Sequence, residues 1–209
     1  MVAVITIARE YGSGGTLVAR ELARRLGWRL LDRELIREIA RRARVTPEAI
    51  EQFDERAGSL ISRLLSAYGR GNVDTWTDSS AAADVLSPAY CSQLSAAIIR
   101  EAADAGRCVI VGRGGQCILR DRDDAFHVFI YGSVEEKIKR IQHLHSSREE
   151  AEAAIRHYEQ ERAAYIRRYY GCDWADRRIY HMMISSDKGI EAAAAAIVEA
   201  AALLSRERA

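Results

Sequence analysis

The segment Gly12-Ser13-Gly14-Gly15-Thr16 packs three glycines and a serine into four positions and ends on a hydroxyl. Such glycines let backbone N–H groups converge. If a helix begins there, its N-terminus adds partial positive charge, so the segment suits an anion such as a phosphate. Against the pattern G-x-x-x-x-G-K-[ST], Gly14 and Thr16 fit, but Arg9 stands at the first glycine and Gly15 at the lysine. Thr16 is the natural Mg²⁺ ligand of a loop of this kind. The charge ordinarily supplied by lysine must come from elsewhere, and Arg9 is the nearest candidate, since a guanidinium can grip a phosphate bidentately.

Two further segments carry anion chemistry. In Val109-Ile110-Val111-Gly112-Arg113-Gly114-Gly115 an apolar run ends in an arginine flanked by glycines. The other runs from Tyr158 to Gly171 and places Arg162, Tyr165 and Tyr169 on one helical stripe, with Ile166 and Arg168 flanking it. An arginine-bearing helix followed by a glycine suits a lid that closes over phosphates. The plain alternatives are a capping arginine in the first case and a solvated, salt-bridged helix in the second.

These segments need a scaffold that brings strand ends together. Short apolar runs at Val2 to Ala8, Trp28 to Leu31, Cys108 to Val111, Phe126 to Tyr131 and Met182 to Ser185 alternate with helical patterns, which predicts an α/β fold with a parallel sheet buried on both faces. In such a sheet ligands bind at the carboxyl ends of the strands, where Arg9, Asp32 and Arg113 all fall. Thr16 to Leu26 reads as an amphipathic helix closed by Gly27. Ser133 with Glu136, and Ser146 with Glu149, fit capping boxes, and Thr46-Pro47 marks another helix start. Gly69 to Ala83 and Gly171 to Arg178 read as breaks, and Ile190 to Leu204 as a closing helix.

Composition narrows the class. The 209 residues are 48% hydrophobic and 29% charged, with a net charge of +1 and 2 prolines, which describes one globular domain and excludes disorder. Near-neutral charge argues against a nucleic-acid or membrane coat, so anion binding must be local. No run approaches the ~20 apolar residues that span a bilayer, and no secretory signal opens the chain, so a cytoplasmic location is expected. Cys91, Cys108, Cys117 and Cys172 show no C-x-x-C spacing, and His143 and His145 sit two apart, a poor chelating pair on a helix. Lysine occurs only at positions 137, 139 and 188, against 28 arginines.

With these segments in place, the sequence resembles the cytidylate kinase-like family, a branch of the P-loop nucleoside monophosphate kinases. The resemblance runs through Ile5 to Gly15, Leu31-Asp32-Arg33-Glu34-Leu35-Ile36, Val109 to Arg113, Arg162-Ala163-Ala164-Tyr165 and Tyr169-Tyr170-Gly171. Members of that branch characteristically lack the loop lysine. It implies a three-layer P-loop fold on a five-stranded parallel sheet, a substrate lobe over about 33–105 and a lid over about 142–176. It also implies transfer of the γ-phosphoryl of ATP, with Mg²⁺, to a nucleoside monophosphate, CMP or dCMP being the namesakes. By that resemblance Gly12 to Thr16 cradle ATP, and Asp32, Arg37, Arg113 and Arg140 face the acceptor. Arg9, Arg113, Arg162 and Arg168 then act on the transferring phosphoryl. Members of the namesake activity carry acidic residues around the turn where this chain has Val111 and Gly114. Two other readings stay open: a nucleotide-binding regulator without turnover, and a kinase of a non-nucleotide small molecule.

Overall fold

The computed structural model describes residues 1–32, 37–38, 41–42 and 88–206. Thr46-Pro47, Gly69 to Ala83 and most of the 33–105 lobe lie outside the described residues. Five strands form one sheet: β1 (Val4–Arg9), β2 (Arg29–Leu31), β3 (Cys108–Val111), β4 (Ala125–Tyr131) and β5 (Met182–Ser185). Their order is β2-β3-β1-β4-β5 and every pairing is parallel, with Ile7 opposite both Val111 and Val128. The predicted strand runs are all present, within two residues at their ends. Because β1 is central and the chain crosses first to one side of it and then to the other, a crevice opens at its carboxyl end.

Helices cover both faces. On one, α1 (Gly15–Leu26) and α6 (Ile190–Arg206) press Val18, Leu22, Ala194 and Ile197 onto Ile5, Ile7, Val109 and Val128. On the other, α2 (Pro88–Ala105) and the one-turn α3 (Gly115–Ile118) cover Val4, Cys108 and Ile110 through Ile98, Ile99 and Ala102. Residues 88–105, at the end of the expected lobe, therefore pack as core. Toward the strand ends, Ile166, Trp174 and Tyr180 close over Ala8 and Phe129. Each face is apolar because parallel strands lie between helix layers, which is why the strands read as continuous hydrophobic runs.

Two helices carry the rest of the site. α4 (Val134–Ile141) starts at Ser133, whose hydroxyl accepts from the Glu136 backbone N–H as the sequence predicts. α5 (Arg148–Tyr170) runs 23 residues and stops at Gly171, φ +66°. Its cap is a correction to the sequence reading: Ser147, not Ser146, accepts from Glu150 N, while the Glu150 carboxylate accepts from Ser146 N. Two serines followed closely by two glutamates satisfy the box in either register, and the later one lets both side chains reach a free N–H. Ile155 and Ala151 of α5 pack on Ile138 and Ile141 of α4.

Candidate functional site

The sheet's crevice holds a hollow of about 350 Å³ lined by Arg9 and Tyr11 from β1 and its loop, Thr16 and Arg20 of α1, and Asp32 after β2. Arg113 follows β3, and Tyr158, Glu161, Arg162 and Tyr165 come from α5. Strand ends and α5 thus meet on one volume.

The loop after β1 is built as an anion cradle. Gly12 and Gly14 take φ +76° and +74°, Gly14 is the N-cap of α1, and no side chain bonds the N-cap site. The first N–H groups of α1 are therefore left without a side-chain cap. Ser13 is fully buried and points away from the cradle, its Oγ donating to the Glu10 carbonyl at 2.9 Å. Ser186 Oγ donates to the Ser13 carbonyl at 2.6 Å and pins the loop from behind.

Arg9 explains the glycine at the lysine position. A Cβ at residue 15 would lie 2.5 Å from Arg9 Cβ and 2.8 Å from its Cγ, so the arginine stem fills the space a side chain there would need. Farther along, the Arg9 guanidinium lies over Gly112, where a Cβ would collide with it. One cation therefore spans from the phosphate loop to the turn after β3. That turn sets Arg113 between Gly112 and Gly114 at φ +55°, a region costly for a side-chain-bearing residue, and buries it to 9% exposure. Gly114 in turn leaves room for Tyr170, whose ring a Cβ there would penetrate.

Helix α5 packs against the β1 strand end and the loop after it. Arg162 Nη1 donates to the Arg9 carbonyl at 2.9 Å, and its guanidinium lies 5.9 Å from the Tyr11 ring centre. Tyr11 stacks on Tyr158 at 4.4 Å. Behind the loop, Lys137 of α4 is 4% exposed and bonds Glu10 at 3.0 Å and Glu159 at 2.7 Å. Burial alone lowers its pKa, yet the hydrogen bonds it donates to Glu159 and Glu10 outweigh it and leave it above the ordinary lysine value.

Of the residues picked from sequence, Arg9, Thr16, Asp32, Arg113 and Arg162 share the hollow, while Gly12 to Gly15 form the loop that leads into Thr16 and are not among its lining residues. Arg140 lies on the loop's other flank, its Nε 3.6 Å from where a Gly14 Cβ would sit, with Nη2 donating to the Ser186 carbonyl at 3.0 Å. Arg37 is elsewhere: it lines a second hollow with Arg29, Arg41, Arg42 and Glu101 at the β2 edge. Arg168 is exposed, over the Tyr169 ring at 5.7 Å, and is not among the lining residues. Sequence reasoning missed Lys137, Arg20, Tyr158 and Glu161. The scarcity of lysine was the one available signal for the first.

The donor set suits a nucleotide triphosphate with a hard cation: a main-chain cradle, a threonine hydroxyl beside it, an aspartate and several guanidinium groups. Among the described residues no group of three or more His, Cys, Asp or Glu side chains could hold a metal by itself. No helix among them is long and apolar enough to cross a membrane.

An uncharacterized protein from Eubacterium ventriosum is 25% identical and superposes with TM-score 0.68, covering 96% of this chain and 98% of its own. Shikimate kinases from Acinetobacter baumannii and Bacteroides thetaiotaomicron, each 17% identical, superpose with TM-scores of 0.54 and 0.53. They cover 99% and 94% of this chain, and 95% and 97% of their own. No curated protein matches the chain. The fold is that of the P-loop kinases. Residues 4–188 match the sequence profile of the cytidylate kinase-like family, which takes in the loop, the Arg113 turn and the lid helix alike. The chain belongs to the cytidylate kinase-like family.

Proposed function

We propose that this protein transfers the γ-phosphoryl group of ATP to a nucleoside monophosphate, with CMP or dCMP the first acceptors to test. The observation that carries the reading is the course of Arg9, which runs over Gly15 of the phosphate loop and ends at Gly112, beside Arg113. A cation on that path lies between a donor held by the loop and an acceptor held by the turn, which is where a transferring phosphoryl group needs its charge stabilised.

In this reading the N–H groups of Gly12 to Thr16 hold the ATP phosphates, and Arg140 flanks them on the side of Gly14. The Thr16 hydroxyl would hold Mg²⁺, which would supply charge neutralisation at the phosphates. Asp32 and Arg113 orient the acceptor, and Arg162 and Tyr158 exclude water above it. Phosphoryl transfer asks a protein mainly for positioning and electrostatics, so arginines in fixed places serve without the loop lysine.

The test is release of ADP by the purified protein with Mg-ATP, against ribo- and deoxyribonucleoside monophosphates and a no-acceptor control. Acceptor-dependent release, strongest with CMP or dCMP, is the expected result. ATP binding without release would instead identify a regulatory binder, and release with a non-nucleotide hydroxy acid alone would move the acceptor class.

A further inference from the structure

We propose that Lys137 is a positioning residue that registers the lid helix on the phosphate loop, through Glu159 on one side and Glu10 on the other. This rests on the kinase reading for its functional consequence, while its structural core stands on the contacts themselves. Lys137 Nζ reaches Glu159 Oε1 of α5 at 2.7 Å and Glu10 Oε2 at 3.0 Å. The Glu10 carboxylate also accepts from Gly132 N at 3.2 Å, so the loop end of this tie is anchored to the β4 terminus. Gly12 completes the arrangement: a Cβ there would lie 3.1 Å from the Lys137 carbonyl and 3.2 Å from its Cβ, so the loop rests directly on this residue.

Glu10 follows Arg9, and Glu159 is flanked on α5 by Tyr158 and, three residues on, Arg162. Arg162 ties the same two segments together from the hollow's side through the Arg9 carbonyl. The stretch Arg9–Gly12 is thereby held between α4 behind and α5 in front. With the ammonium gone, two carboxylates that shared one nitrogen face each other in a partly buried place, which pushes α5 off the loop. Lys137 reaches toward neither the hollow nor its lining, so its effect on chemistry passes through where Tyr158, Glu161 and Arg162 stand.

Three variants test this: Lys137→Met, Glu159→Gln, which breaks only the lid half and leaves the loop pair, and Lys137→Arg as the conservative replacement. The expected result is a fall in kcat of about tenfold or more with a raised acceptor KM, while KM for ATP stays within about threefold, because the donor is held by main-chain groups. Lys137→Arg should restore part of the loss. Should Lys137→Met fail to fold, Glu159→Gln decides by the same criteria. Unchanged kcat and acceptor KM in soluble Glu159→Gln would overturn the proposal. So would equal losses for ATP and acceptor, which would mark a residue that merely stabilises the loop. Hydrogen exchange reads the tie without turnover: α5 amides around 156–166 should exchange about tenfold faster in Glu159→Gln, with α1 unaffected. If the wild type releases no ADP yet α5 loosens in this way, the kinase reading falls and the tie stands. If wild type turns over and α5 does not loosen, the tie falls alone.

Discussion

Gly12-Ser13-Gly14-Gly15 after β1 and Gly112-Arg113-Gly114-Gly115 after β3 repeat one glycine device on neighbouring parallel strands, with only the second left-handed at its middle residue. In both, the first and third residues are left-handed glycines, at +76° and +74° in one and +71° and +75° in the other. In both, the third residue is the N-cap of a helix without a side-chain cap bond. The difference lies in what the device presents. The first opens onto 12 residues of helix and turns its middle side chain, Ser13, inward, so it presents main-chain groups rather than a side chain. The second opens onto 4 residues of helix and holds its middle residue, Arg113, left-handed and facing the hollow, so it presents a guanidinium. A main-chain cradle recognises any phosphate, whereas an aimed side chain recognises one in a particular place.

The largest effect is expected where the two devices meet, at Arg9. Arg9→Ala should lower kcat on the order of 10²- to 10³-fold, as loss of a preorganised charge does. Gly15→Ala should lose about as much by displacing the same side chain, and the double variant little more than either single one, since both act through one group. Exchanging the two positions, Arg9→Gly with Gly15→Lys, should recover a large part of the activity. Steady-state ADP release measures all four, and losses that simply multiply would show that Gly15 does not act through Arg9.

A second contrast concerns what each device rests on. Gly15 lies against Arg9, but Gly115 lies against Thr6, whose hydroxyl is 2.8 Å from His127 Nδ1. Burial, and then the neighbouring His181, hold His127 well below the usual histidine range, at about 4. An unfolded histidine takes its proton near pH 6.5, so below that the unfolded chain binds more protons and stability falls as pH drops toward 4. Denaturant unfolding should show wild type about 2 kcal/mol less stable at pH 5 than at pH 7 from this group. His127→Gln, which keeps a partner for Thr6, should flatten that window; an unchanged slope would place the acid sensitivity elsewhere.

The smallest effect separates strain from function in the second turn. Arg113→Ala and Arg113→Gly should both weaken acceptor binding while leaving ATP affinity unaltered. The glycine variant should nevertheless be more stable than the alanine variant by about 1 kcal/mol, because only glycine occupies φ +55° without cost. Thermal unfolding of the pair measures it, and equal stabilities would mean the turn relaxes when the arginine is removed.

Much of this site is legible in the amino-acid sequence, and the limits have physical causes. β1, its loop and α1 are legible because a strand buried on both faces, a glycine run and an amphipathic helix occur in immediate succession. Arg113 is legible because its flanking glycines and strand leave it one place to go. Arg37 and Arg168 are drawn to the site by sequence neighbours, but which face of a helix meets a hollow is decided by packing that no local pattern encodes. Lys137 is the opposite case: on an amphipathic helix it reads as a solvated charge, and only contacts with residues 127 positions before it and 22 after it show otherwise.

The way the phosphate loop is finished bears on the order in which the chain is made. Its Ser13 carbonyl is bonded by Ser186, its Gly14 packs where a Cβ would sit 2.7 Å from Ile190, and its helix is covered by α6. During synthesis the loop leaves the ribosome some 170 residues before these partners do. A nascent chain therefore has no finished loop, and arrest at any length short of Ile190 leaves the loop without these contacts.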